Sequence, residues 1–153
     1  MENLDSTDIK LLTLLQQNSN LTTKEIASKV SLSTTPVFER IKRLEREGYI
    51  KKYVAILDAE KLNQDFVVFC HVKLKQLNTE IANNFTASIK EIAEVTECYN
   101  ISGHFDYMLK IHASNMKQYQ DFIINKLGRL DSLGSLESVF VMDTVKQDYK
   151  INI

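Results

Sequence analysis

Glycine occurs only four times in 153 residues, proline once, cysteine twice and tryptophan not at all. So few glycines, none of them clustered, exclude a phosphate-cradling loop or a dinucleotide fingerprint, since both need several residues without a Cβ at fixed short spacings. The two cysteines, Cys70 and Cys98, cannot frame a disulfide scaffold, and neither stands in a CxxC or Cys/His spacing that would ligate zinc. They read as reduced core thiols, and no metal and no cofactor is expected.

Long apolar runs are also missing. The longest strongly apolar stretch, Phe66 to Val72, falls far short of the roughly 20 residues that a bilayer-spanning helix needs. The opening MENLDSTDIK lacks the basic-then-apolar layout of a signal peptide. A cytoplasmic protein without a membrane partner is therefore expected, and the Asn-x-Ser/Thr triplets at Asn20, Asn84 and Asn100 carry no glycosylation meaning there. Catalytic constellations are equally scarce. His71 and His112 fall in strand-like segments, where a satisfied structural imidazole is the ordinary state. Cys98 and His104 lie close in sequence, but no motif places an acid to orient them. No catalytic residue is assigned, and binding is expected over catalysis.

What remains is ordinary for a soluble globular chain: 44% apolar and 25% charged residues, enough for one domain or two small ones. The formal net charge of −1 hides an asymmetry. Residues 1–55 hold nine Lys/Arg against seven Asp/Glu, the rest ten against thirteen, and residues 31–52 six against three. Positive charge is concentrated in SLSTTPVFERIKRLEREGYI, a modest footprint for a polyanion.

Helical periodicity governs the chain up to Gly48. Ser6 to Gln17 spaces Ile9, Leu11, Leu12, Leu14 and Leu15 as a first helix, with Asp5 or Ser6 as N-cap and Asp8 favourably near its dipole. Thr22-x-x-Glu25 is a capping box opening a second helix through Val30. After the tight Ser31-Leu32 connection, Ser33 is expected to cap a third helix that tolerates Pro36 in its first turn. On that helix Val37, Ile41 and Leu44 form the inner stripe, while Thr35, Glu39, Lys42, Arg43 and Arg46 point away. Three helices with so short a turn match a helix-turn-helix, whose last helix enters the DNA major groove. Thr35, Glu39 and Arg43 could then reach base edges, and Arg40, Lys42, Arg46, Lys51 and Lys52 could grip phosphate. The competing reading is a solvated helix face held by i,i+4 charge pairs.

Strand-like alternation dominates from Tyr49 onward. Tyr49 to Leu57 reads as extended, Asp58 to Gln64 as a linker, and Asp65 to Lys75 as a strand with Phe66, Val68, Cys70, Val72 and Leu74 on one face. A helix at Thr79–Ile89, strands at Val95–Ser102 and Tyr107–Ala113, a helix after Ser114 and a last strand over Ser138–Gln147 complete β-α-β-β-α-β, the ferredoxin-like order. Residues 1–50, 51–64 and 65–153 are thus expected to be a three-helix, winged helix-turn-helix domain, a linking strand with linker, and a ferredoxin-like domain, an α+β protein. Helices would cover one face of the sheet only. Val67 and Phe69 on the other face call for a second copy of the chain.

Leu4-Asp5 with Asp8, LSTTPVFERIKRLEREGYI, ECYNISGHFDYMLK and VFVMDTVKQ together resemble the feast/famine, or Lrp/AsnC, family of leucine-responsive and asparagine-responsive transcription regulators over nearly the whole length. The resemblance implies double-stranded DNA as partner and a small-molecule effector, usually an amino acid. It also implies homodimers that assemble further, commonly into octamers. Carried over, the recognition helix is Thr34 to Glu47, with Ser33, Thr34, Thr35, Pro36, Glu39, Arg40, Lys42, Arg43 and Arg46 as DNA-binding residues. The effector residues are Gly103, His104, Phe105 and Asp106. In that turn backbone N–H groups would receive a carboxylate and Asp106 an α-ammonium group, unless Asp106 merely caps the turn. Ser31 stands where relatives often have glycine, and His104 where close relatives often carry an acid. The reading is a sequence-specific transcriptional regulator. The alternative is a metabolite-sensing assembly protein whose N-terminal helices dock a protein partner.

Overall fold

A computed structural model describes residues 4–153. The chain divides into two compact units, one made of the segment up to Ile56 together with Lys146–Ile153, the other of Leu57–Val145. No helix of the described residues is long and apolar enough to cross a membrane.

The first unit holds α1 (Ser6–Gln17), α2 (Thr23–Val30) and α3 (Thr34–Arg46). Each of the first two opens on a reciprocal capping box. Asp8 N–H donates to Asp5 Oδ1 at 2.8 Å and Asp5 N–H to Asp8 Oδ2 at 3.1 Å, and Thr22 and Glu25 repeat the pattern at α2. Ser31 ends α2 in the left-handed region, φ 57° and ψ 43°, which lets Leu32 N–H reach Ala27 O at 3.0 Å. This is the conformation a glycine takes freely and a residue with a Cβ resists. Ser33 occupies the N-cap of α3, but its side chain makes no capping bond, so the expected cap is positional only. Leu11, Ile26, Ala27, Val37 and Leu44 are buried together where the three helices meet. The Gln16 side chain brackets the tail, accepting from Ile151 N–H at 2.8 Å and donating to Ile151 O at 3.2 Å.

The second unit is a four-stranded antiparallel sheet in the order β2-β3-β1-β4. Its strands are β1 (Phe66–Leu74), β2 (Val95–Asn100), β3 (Tyr107–Ala113) and β4 (Leu133–Phe140), and its helices α4 (Thr79–Lys90) and α5 (Met116–Asn125). Alternation along β1 and β3 buries Val68, Cys70, Val72, Leu109 and Ile111 against Phe85, Ile89, Tyr119 and Phe122 of the helices. Burying side chains of this size contributes about 1.5–3 kcal/mol each. Buried Cys70 is a core thiol pushed up to about 11 by loss of water. Cys98 is an exposed free thiol instead, because β2 is an edge strand.

Some expected boundaries move. The last strand lies at Leu133–Phe140, not Ser138–Gln147, because its partner β1 begins at Phe66 and pairing ends with Val141 N–H on Val67 O. Gly134 permits this: a Cβ there would stand 2.9 Å from Leu74 O, beside the irregularity between Lys73 and Leu74. The α5 N-cap is Asn115, whose Oδ1 accepts from Gln118 N–H, while the Ser114 hydroxyl bonds Gln118 Oε1. Residues 51–57 run without a hydrogen-bonded strand partner among the described residues.

Candidate nucleic-acid interface and effector turn

With Val37 and Leu44 turned inward, α3 presents Ser33, Thr34, Thr35, Pro36, Glu39, Lys42 and Arg46 to solvent. The uncapped first turn leaves backbone N–H groups free at its positive dipole end. Lys42 bonds Glu45 at 2.7 Å and lies over the Phe38 ring at 5.7 Å, and Tyr53 Oη donates to the same carboxylate at 3.1 Å. Burial, together with this carboxylate, pushes the Tyr53 phenol up to about 12.

Arg40 and Arg43 sit on the flank of α3 and are only half-buried. Arg40 Nη1 reaches Asp5 Oδ2 at 2.6 Å and Asp8 Oδ1 at 2.8 Å, and Arg43 Nη2 binds Asp8 Oδ2. Asp8 itself is fully buried, so two guanidinium groups compensate one desolvated carboxylate. An open recess of about 490 Å³, lined by Asp5, Pro36, Glu39, Arg40 and Arg43, gives solvent access to the cluster. Arg46 alone among the four α3 cations makes no ion pair with the described residues. Sequence reasoning took Asp8 as a helix-dipole residue and missed its grip on α3. Acids at 5 and 8 facing arginines at 40 and 43 were the available signal.

In the second unit the turn between β2 and β3 brings Gly103, His104, Phe105 and Asp106 together. Gly103 has φ 122°, open only to glycine at low cost, with nothing near its Cα face. Phe105 stacks on His71 with centroids 5.2 Å apart, and His104 meets Phe105 edge-on at 4.9 Å. Asp106 is buried, and both its oxygens are engaged by β1: Oδ2 accepts from Leu74 N–H at 2.9 Å and Oδ1 from Lys73 Nζ at 3.0 Å. The Leu74 bond, with Lys73 adding to it, holds the carboxyl below its ordinary range. Asn100 Nδ2 and Ile101 N–H both donate to Asp106 O. His112 is satisfied through Nδ1 and Gln64 O at 2.9 Å, whereas His71 Nδ1 is buried without a hydrogen bond among the described residues, 3.6 Å from Glu137.

The face of the sheet opposite the helices carries Val67, Phe69, His71 and Lys73 of β1, Met108, Lys110 and His112 of β3, and Val139 of β4. Val139 and Tyr99 remain exposed there.

Residues 4–51 match the winged helix-turn-helix DNA-binding family, and residues 67–151 match the Lrp/AsnC ligand-binding domain. The chain is 37% identical over 144 residues to a leucine-responsive regulatory protein of Haemophilus influenzae, covering 94% of this chain and 87% of the relative. It is 34% identical to a proline dehydrogenase transcriptional activator of Rhizobium radiobacter, covering 95% and 94%. A crystal structure of a transcriptional regulator from Neisseria meningitidis in complex with L-Met superposes with a TM-score of 0.94 at 31% identity, covering 98% of this chain and 97% of that one. With a helix-turn-helix unit followed by a ferredoxin-like ligand-binding unit, the chain belongs to the Lrp/AsnC family of transcriptional regulators.

Proposed function

We propose that the chain acts in the cytoplasm as a homo-oligomeric regulator that reads double-stranded DNA through α3, answers to an amino acid, and works by binding without catalysis. The outward face of α3 supports this reading most: hydroxyl, carboxylate and cationic groups line one exposed side of a helix whose other side is fully packed. Thr35, Glu39 and Arg43 would meet base edges. Arg40, Lys42 and Arg46, with Ser33 and Thr34 at the uncapped first turn, would meet phosphate.

The effector would sit at the turn of Gly103, His104, Phe105 and Asp106. Gly103 permits close approach to the backbone, where N–H groups would suit a carboxylate, Phe105 and His104 offer an aromatic wall, and Asp106 keeps the turn on β1. The bound L-Met of the Neisseria relative supports an amino acid as the ligand class. The apolar centre of the open sheet face suits a second copy related by a two-fold axis, and such dimers would assemble further into octamers.

Fluorescence anisotropy with a duplex from the region upstream of this chain's coding sequence and a scrambled duplex, at several salt concentrations, tests the proposal. Arg46→Ala should weaken both duplexes and flatten the salt slope by about one unit. At least one standard amino acid should shift the wild-type affinity. Wild-type-like binding by Arg46→Ala, or affinity indifferent to every amino acid, would refute the corresponding part.

A further inference from the structure

The four cations of α3 are largely neutralised within the folded unit. Lys42 is matched by Glu45, and Arg40 and Arg43 by Asp8 and Asp5. Asp5 and Asp8 lie at the opposite end of the local sequence and have no part in the helix-turn-helix turn. Their carboxylates nevertheless fix the directions of two guanidinium groups that open onto the recess over α3. Each arginine has five N–H donors in a rigid fork, and one nitrogen of each is engaged by the carboxylates. Arg43 Nε is buried without an acceptor among the described residues.

We propose that Asp8 is a positioning residue for DNA recognition, which, with Asp5, holds Arg40 and Arg43 in fixed orientations and cancels their charge. The inference rests on α3 being the DNA-reading helix. Sequence-independent affinity comes from cations free to displace counterions along the phosphate backbone. Clamped arginines contribute little to it on a duplex that does not fit, yet the parts of them that line the recess are held in place, so the phosphate contact of Arg40 and the base contact of Arg43 are reserved for a duplex that fits. Asp8 thus lowers affinity for DNA in general and widens the gap between operator and random sequence.

Asp8→Asn removes the charge while leaving an oxygen to accept from Asp5 N–H. On the scrambled duplex it should bind more tightly than wild type at low salt. Its slope of log affinity against log salt should be steeper by about one unit, a three- to fourfold larger loss over a fourfold rise in salt. Discrimination between the two duplexes should narrow. Asp5→Asn, at an exposed N-cap where Asn serves as well as Asp, should move in the same direction by less, and it keeps the test open if Asp8→Asn unfolds. A merely structural ion pair predicts the opposite, namely weaker binding to every duplex as the domain loosens. Unchanged slopes in both folded variants, or losses on both duplexes, overturn the proposal. If the wild type binds neither duplex, the DNA reading of α3 fails and the clamp's role fails with it, a result distinct from wild-type binding with unaltered variants.

Discussion

Replacing Asp106 by alanine should cost the second unit much of its stability. The buried Leu74 N–H, at the end of β1, would lose the acceptor it has in Asp106, and a buried donor left unsatisfied costs about 1–3 kcal/mol. The lost bond is also charge-assisted, which places it at the strong end of that range. The Lys73 partner is 41% exposed and adds no more than about 1 kcal/mol. Asp106→Ala is therefore expected to lose about 2–4 kcal/mol, and Asp106→Asn, which keeps an acceptor for Leu74, about 1 kcal/mol. Urea unfolding at pH 7 and fixed protein concentration measures both. The pH dependence adds a second arm. Because the folded carboxyl lies below its ordinary value of 3.8, its contribution is complete above that value and disappears as pH falls through the lower folded value. The gap between wild type and Asp106→Asn should therefore close under acid. Loss of less than about 0.5 kcal/mol in Asp106→Ala, or equal losses in both variants, would show that the bonds to β1 do not hold the turn.

Ser31→Gly should stabilise the first unit: relief of the left-handed backbone is worth about 1–2 kcal/mol, offset by about 0.5–1 kcal/mol of glycine entropy. A net gain near 0.5–1 kcal/mol in urea unfolding is expected, and a loss would contradict the strain at φ 57°. If the proposed dimer forms through the open sheet face, Phe69→Asp should give a monomer in sedimentation at micromolar concentration, because it would bury an uncompensated carboxylate between two sheets. A wild-type chain that sediments as a folded monomer would remove that argument.

Elements whose signal is local were legible in the sequence. α1 begins and ends at the expected residues, because Asp5 caps it and Asn18 and Ser19 break its apolar period. β1 shows its buried face in plain alternation. β4 was displaced because VFVMDTV alternates as well as LGSLESVF, and only the length of β1 decides which of them finds hydrogen-bond partners. Within the candidate sites, the exposed face of α3 follows from helical period alone. The clamp on Arg40 and Arg43 does not, since it joins residues more than thirty positions apart. Asp106 looks like ordinary turn chemistry until β1 is seen to supply both donors.

The strand order has a consequence for synthesis on the ribosome. β1 sits in the sheet interior between β3 and β4, and Val68 finds its β4 partner in Phe140, about seventy residues later. At about 5–20 residues per second, one edge of this apolar strand stays open for roughly 4–14 s after it emerges. The three helices of the first unit, built from near neighbours, can close in a small fraction of that time. An unpaired, hydrophobic strand edge is a template for pairing with other nascent chains. The window between β1 and β4 is therefore one in which this chain is exposed to misassembly.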